Sequence, residues 1–161
     1  MTTLSQALKN NFYFKRAVKY CSLNLRSESE LTKKLSSFEQ MSNEIGEEIK
    51  SYFLKSKIVL PDEDFLDYYI SNLSENKGYS FNQLYLKLGK KISDKRLLKD
   101  KLQAFMKDTE ELQVSRFIIK NKHKILRKEP SLQLKYIQSK GYSYSASKKA
   151  LTQFLNGNDN L

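Results

Sequence analysis

Apolar residues recur along this chain at the three-, four- and seven-residue spacings of a helix face, interrupted by serine–acid pairs and glycines. From Leu4 to Leu25 the pattern predicts one helix, with Ala17, Cys21 and Leu25 on one side. Ser27-Glu28-Ser29-Glu30 follows. A serine with a glutamate three residues later forms a capping box, in which each side chain satisfies an N–H left unpaired at a helix start. The helix it opens carries Leu31, Leu35 and Phe38, and Ser42 or Asn43 caps the next, with Ile45, Ile49 and Phe53. Pro61-Asp62-Glu63-Asp64 starts a further helix, striped by Phe65, Tyr69 and Leu73 and ended by Gly78. Acidic residues suit that start because the helix dipole favours negative charge there. Ser80-Phe81-Asn82-Gln83 is a second capping box, ahead of Leu84 and Leu88. Gly89 closes that helix, and Ser93-Asp94 caps one lined by Leu97, Leu102 and Phe105. Another begins near Thr109 or Glu110, with Val114, Phe117, Ile118 and Ile125. Pro130-Ser131 restarts the chain before Leu134 and Ile137, and Gly141 ends that helix. Ser143 opens the last one, with Ala146, Ala150, Leu151 and Phe154 on one face.

The spacing of these signals carries more than the signals themselves. Leu31, Leu84 and Leu134 are separated by 53 and 50 residues, and Ser42, Ser93 and Ser143 by 51 and 50. The expected fold is therefore all-α, a tandem array of three three-helix repeats, elongated or curved. The repeats fall at 1–60 (with an N-terminal extension), 61–108 and 109–155, followed by a flexible tail at 156–161.

Charge adds direction to this picture. The 161 residues carry a net charge of +11. Residues 112–161 hold ten Lys and Arg against two Asp and Glu, whereas residues 61–111 hold nine against ten. Such a surface attracts polyanions and acidic partners. The candidate binding residues are Arg26, Lys33 and Lys34 near the first capping box. In the third repeat they are Arg116, Lys120, Lys122, Lys124, Arg127, Lys128, Lys148 and Lys149. Arg116, Lys120 and Lys124 are spaced by four and are expected to share one helix face. Arg would hold a carboxylate or phosphate bidentately, and Lys would act as a point charge.

Other chemistry is poorly supplied. One cysteine, Cys21, and one histidine, His123, make neither a disulfide nor a zinc site. Cys21 reads as core and His123, within Lys122-His123-Lys124, as surface. Asp62, Glu63, Asp64 and Asp67 lack the glycine-turned loop of a calcium site and read as helix-start charge. Tyr20, Tyr52, Tyr69 and Tyr136 read as core, and Tyr142 and Tyr144 as exposed. No glycine-rich phosphate loop or nucleophile–base set stands out, so neither catalysis nor a cofactor is expected. No run approaches the roughly 20 apolar residues of a membrane span, and the N-terminus lacks a signal peptide's apolar core. A cytoplasmic monomer without membrane contact is the expectation.

The order of these motifs resembles the RecX family of bacterial recombination regulators. The resemblance runs through Arg26-Ser27-Glu28-Ser29-Glu30-Leu31 with Lys34-Leu35, then Asp62-Glu63-Asp64-Phe65 with Tyr69. It continues in Lys77-Gly78 with Leu84 and Leu88, and closes in Tyr136-Ile137 and Lys140-Gly141-Tyr142-Ser143. It departs at Lys57-Ile58-Val59-Leu60-Pro61 and at Gly89-Lys90-Lys91-Ile92. The resemblance implies a non-enzymatic protein of three three-helix repeats that lodges in the groove of the RecA recombinase nucleoprotein filament. It would modulate, in the sense of inhibit, the filament's ATPase and strand exchange in DNA recombination and repair and the SOS response. Direct DNA contact through the same basic surface is the further partner. The alternative is a DNA-binding module of helix-turn-helix type, suggested by the Lys140-Gly141-Tyr142-Ser143 turn.

Overall fold

The computed structural model describes residues 6–158. Ten helices and one two-residue strand pair occur among them. The chain divides into two compact units, one holding residues up to 66 together with 91–93, the other holding 67–90 and 94 onward. The helices follow one another as three three-helix repeats.

In the first unit α1 (Gln6–Asn10) and α2 (Phe12–Ser22) replace the single expected helix. The chain breaks at Asn11, whose side-chain oxygen accepts the N–H groups of Tyr13 at 2.8 Å and Phe14 at 3.3 Å. Asn competes for backbone partners in this way, so it favours a cap over a helix interior. Leu4, the expected start, lies outside the described residues. Next come β1 (Arg26–Ser27), α3 (Glu28–Ser36), α4 (Asn43–Lys55), β2 (Val59–Leu60) and the start of α5 (Asp62–Lys77). The strands pair in parallel, Arg26 with Val59 and Ser27 with Leu60, and this short ladder is the one departure from an all-helical chain among the described residues. Phe14, Ala17 and Cys21 of α2 pack with Leu31 and Leu35 of α3, Ile49 and Phe53 of α4, and Val59. Phe14 and Phe53 meet edge-on with centroids 5.5 Å apart. Burial pushes the Cys21 thiol up to about 11, against a smaller downward pull from the Arg26 guanidinium.

The second unit is built from the rest of α5, then α6 (Phe81–Leu88), α7 (Lys95–Lys120), α8 (Lys122–Leu126), α9 (Pro130–Gln138) and α10 (Tyr144–Asn158). Among the described side chains of α5, Phe65, Leu66 and Ile70 are buried, and Tyr69 and Leu73 are only half-buried. The expected boundary at 108/109 falls inside α7, which runs unbroken for 26 residues. Thr109 does not cap a new helix: its hydroxyl donates back to the Phe105 carbonyl at 2.6 Å, a bond compatible with a helix interior. With no glycine or proline between 95 and 120, nothing stops the helix. Its buried residues are Leu98, Leu102 and Met106 in the first half and Gln113, Val114, Phe117 and Ile118 in the second, as it packs on α6 and α10. Leu97 and Phe105 are half-buried neighbours of that stripe. Helix α10 reaches Asn158, so 156–158 of the expected tail are helical and 159–161 lie outside the described residues.

Both capping boxes form, and each does more than start a helix. Ser27 Oγ accepts from Glu30 N while Glu30 reaches back to Ser27 N; Ser80 and Gln83 repeat the figure. Each serine hydroxyl then donates to a backbone carbonyl ahead in the chain: Ser27 to Lys91 at 2.7 Å, Ser80 to Lys140 at 2.6 Å. The two acceptors are 49 residues apart. Leu84 counted forward by the same interval reaches Gln133, not Leu134, and Gln133 with Ile137 is the buried pair of α9. Leu134 is half-buried. The third cap position is thus Glu129, which makes no side-chain cap bond. The starts of the third helices also differ from the expected serine series: Ser42 caps α4, but Asp94 caps α7 while the Ser93 N–H goes to Ser29 Oγ. We expect Ser80→Ala to lower unfolding free energy by about 2–3 kcal/mol, since it removes a cap and leaves the Lys140 carbonyl unpaired. Ser42→Ala, losing one exposed 3.4 Å bond, should cost under about 1 kcal/mol. Urea titration of both variants tests the contrast.

Candidate functional site

The basic residues divide by how tightly the fold holds them. Arg26 sits at the start of α3, where its Nη1 lies 3.0 Å from Glu30 Oε1 and its guanidinium 4.3 Å from the Tyr20 ring centroid. Lys91 joins the same carboxylate at 3.1 Å. Glu30 is nearly buried, with 10% of its side chain accessible, so it serves two cations and the Ser27 N–H at once. Arg26 therefore belongs to the frame of the first unit. The Lys34 ammonium lies over the Phe38 ring, 5.0 Å from its centroid. Of this trio Lys33 is the exposed one.

In the second unit the expected run Arg116, Lys120, Lys124 does not lie on one helix. Helix α7 ends at Lys120, Asn121 turns the chain, and Lys124 belongs to α8. Asn121 makes that break by turning its own amide on the Phe117 carbonyl at 2.9 Å. Arg116 and Lys120 still share a face of α7. Lys120, Lys122, Lys124 and Arg127 are exposed, Arg116 and Lys128 half-buried. Lys149 pairs with Glu111 at 2.6 Å, but both side chains are more than half exposed, so the pair adds little to stability. Lys148 lies 6.0 Å from the Tyr144 ring.

One cationic grouping was not foreseen. Lys128 and Lys140 place their ammonium groups 4.8 and 4.9 Å from the Tyr136 ring centroid. Tyr136 in turn leans on Phe117, with centroids 6.2 Å apart. Lys140 was visible only as part of the Lys-Gly-Tyr-Ser motif; nothing local marks it as Tyr136's second cation. The arrangement fixes two ammonium groups beside one half-buried ring, at a short cost in side-chain freedom.

The remaining candidates settle as follows. His123 is exposed, Cys21 is core, and Tyr20, Tyr52, Tyr69 and Tyr136 are half-buried. Tyr144 is exposed, whereas Tyr142 is buried. The expectation of an exposed Tyr142 fails because its hydroxyl has a partner inside: it donates to the Gly78 carbonyl at 2.9 Å. Burial, followed by the Glu110 carboxylate, pushes that phenol well above its usual range. Asp62 accepts both the N–H and the hydroxyl of Ser29, so it is a brace as well as helix-start charge. Glu110 does the same for Ser143, at 2.8 Å to each. Asp67 pairs with Lys101 at 2.9 Å. Among the described residues no cluster of His, Cys, Asp or Glu could hold a metal ion, and no helix is long and apolar enough to cross a membrane.

Helices grouped in threes, with a serine box in each of the first two groups whose hydroxyl also binds the chain ahead, define a tandem three-helix-repeat protein. RecX crystal structures share this architecture. The chain matches the crystal structure of RecX from Lactobacillus salivarius with a TM-score of 0.69 over 93% of this chain and 97% of that one, at 18% identity. A second crystal structure, of a regulatory protein RecX, matches with a TM-score of 0.65 over 94% of this chain and 79% of that one, at 17% identity. No family model and no curated protein matches the sequence. The chain has the RecX fold.

Proposed function

We propose that the protein is a non-enzymatic regulator that binds the nucleoprotein filament of a RecA-type recombinase and inhibits its ATPase and strand-exchange activity. The observation that carries this reading is the RecX fold over 93% of the chain, joined to the motif order noted in the sequence. The surface assigned to the contact is the exposed basic part of the third repeat, Lys120, Lys122, Lys124 and Arg127 with Arg116 and Lys128. An excess of ten cations over two anions in residues 112–161 supports that assignment. A filament offers phosphates and acidic side chains along its length, and a cationic face meets both. Lys148 and Lys149 on α10 extend the surface, and Lys33 is a separate candidate contact on the first unit.

The combined variant Arg116→Glu, Lys120→Glu, Lys124→Glu tests it. We expect loss of filament co-sedimentation and at least about a tenfold rise in the concentration needed to inhibit recombinase ATPase, equivalent to about 1.4 kcal/mol. Helicity by circular dichroism should be unchanged, because none of the three side chains is buried. Unaltered inhibition by this variant would remove the surface from consideration.

A further inference from the structure

Beside the start of α2 the first unit has an open hollow of about 270 Å³. Its apolar wall is three rings in contact. Phe12 meets Tyr13 edge-on with centroids 5.5 Å apart, and Tyr13 meets Phe38 at the same distance. Phe12 is 59% exposed and is the one exposed ring among the described residues of this unit. The remaining wall is polar, made by Ser37, Glu39 and Gln40 just after α3. Rings beside a polar edge suit a flat ligand that stacks through its face and hydrogen-bonds through its rim.

Cations continue from the hollow along α2. Arg16 lines it, with its guanidinium 4.8 Å from the Phe12 ring centroid. Lys15 and Lys19 are exposed on the same helix. Residues 1–27 hold Lys9, Lys15, Arg16, Lys19 and Arg26 and no Asp or Glu, so no carboxylate of α1 or α2 answers them. Arg16 and Lys19 follow Phe12 by four and seven residues, on one side of α2 and roughly 6 and 10 Å along its axis. Three rings also suit a caged alkylammonium. That ligand is opposed here, because the Arg16 guanidinium and the Lys34 ammonium, 5.0 Å from the Phe38 centroid, already lie against the rings. A flat ligand with an anionic tail satisfies both the rings and the cations. Glu39 repels such a tail and accepts N–H groups from the flat part.

We propose that this hollow binds a nucleoside diphosphate, with the base against Phe12, Tyr13 and Phe38, the N–H groups of its edge on Glu39, and the phosphates on Arg16 and Lys19. Guanine offers two adjacent N–H donors to one carboxylate, so it is the base best matched to Glu39. A single nucleotide is favoured over a strand, because strand-binding surfaces stack successive bases on successive rings. Beyond Phe12 this side of α2 presents Arg16, Lys19 and Leu23 instead. None of the residues assigned to the ligand belongs to the surface assigned to the filament, so the site stands apart from the recombinase reading.

Isothermal titration of the full chain with GDP tests this site. Saturable binding is expected, with guanosine and inorganic pyrophosphate each at least about tenfold weaker, because each lacks half of the contacts. Phe12→Ala and Arg16→Glu should each weaken GDP binding by at least about tenfold. Tm should fall by no more than about 4 °C in either variant, since both side chains are exposed. Heats that do not saturate by about 1 mM GDP would overturn the proposal. So would pyrophosphate binding as tightly as GDP, or full binding by either variant. Tighter binding of a single-stranded oligothymidylate than of GDP, lost in both variants, would also overturn it, because the occupant would then be a strand.

Discussion

Gly78→Ala is expected to cost more than about 4 kcal/mol and to leave the second unit largely unfolded at room temperature. Gly78 closes α5 in the left-handed region at φ +56°, where an alanine pays about 1–2 kcal/mol on its own. The larger penalty is steric. A Cβ at this position would stand 2.5 Å from Phe117 N and nearer still to Gln113 O. Both are backbone atoms in the middle of α7, held by the helix ladder, so they cannot rotate aside as a side chain would. The end of α5 would have to lift away from α7. That movement takes with it the Tyr142 hydroxyl bond to the Gly78 carbonyl and the Tyr79 N–H bond to Gln113 Oε1. Gly141, at φ +91°, offers the control: its Cβ would meet only side-chain atoms, Asn82 Nδ2 and Ser80 Oγ at 3.1 Å. Gly141→Ala should therefore cost about 1–2 kcal/mol, mostly backbone strain. Chemical denaturation of the two variants followed at 222 nm compares them directly.

Glu30→Ala should be the second most damaging change, at about 3–4 kcal/mol. The carboxylate is nearly buried and answers three donors: Arg26, Lys91 and the Ser27 N–H. Removing it takes the carboxylate from a half-buried guanidinium and a half-buried ammonium, and opens the capping box. Glu30→Gln separates these effects. Gln83 shows within the same chain that an amide oxygen serves the capping box, accepting Ser80 N at 3.1 Å. The glutamine variant should thus keep the helix start while losing the charge, at roughly half the cost. Equal losses for Gln and Ala would mean that charge alone matters, and a near-neutral Gln would mean that only the cap does. Tm and urea midpoints of both proteins distinguish these cases.

What the sequence made legible was what its near neighbours decide. Ser27 with Glu30 and Ser80 with Gln83 are three residues apart, and both boxes formed where the spacing put them. Gly78 and Gly141 took left-handed backbone because few other residues can. Partners that the local pattern did not announce reversed several inferences. Tyr142 looked like a surface residue until the Gly78 carbonyl, 64 residues away, took its hydroxyl. Thr109 looked like a cap, but inside α7 its hydroxyl had the Phe105 carbonyl to bond. Leu134 seemed the third member of a leucine series, and the true position is Gln133, whose amide donates to the Lys128 carbonyl at 3.2 Å and so enters the core satisfied. The basic residues were legible in number but not in state. No local pattern says that Arg26 is locked under Tyr20 and Glu30, while Lys33 stays in solvent.

The serine hydroxyls that open α3 and α6 each hold a carbonyl one repeat ahead, whereas α9 opens with Glu129. A carboxylate is acceptor-only when ionised and cannot bond a carbonyl oxygen. Glu129 therefore offers no donor of the kind that Ser27 and Ser80 turn on the Lys91 and Lys140 carbonyls. The hydroxyl clamp is thus a property of the first two repeats, and one side chain, Glu129, sets the third apart.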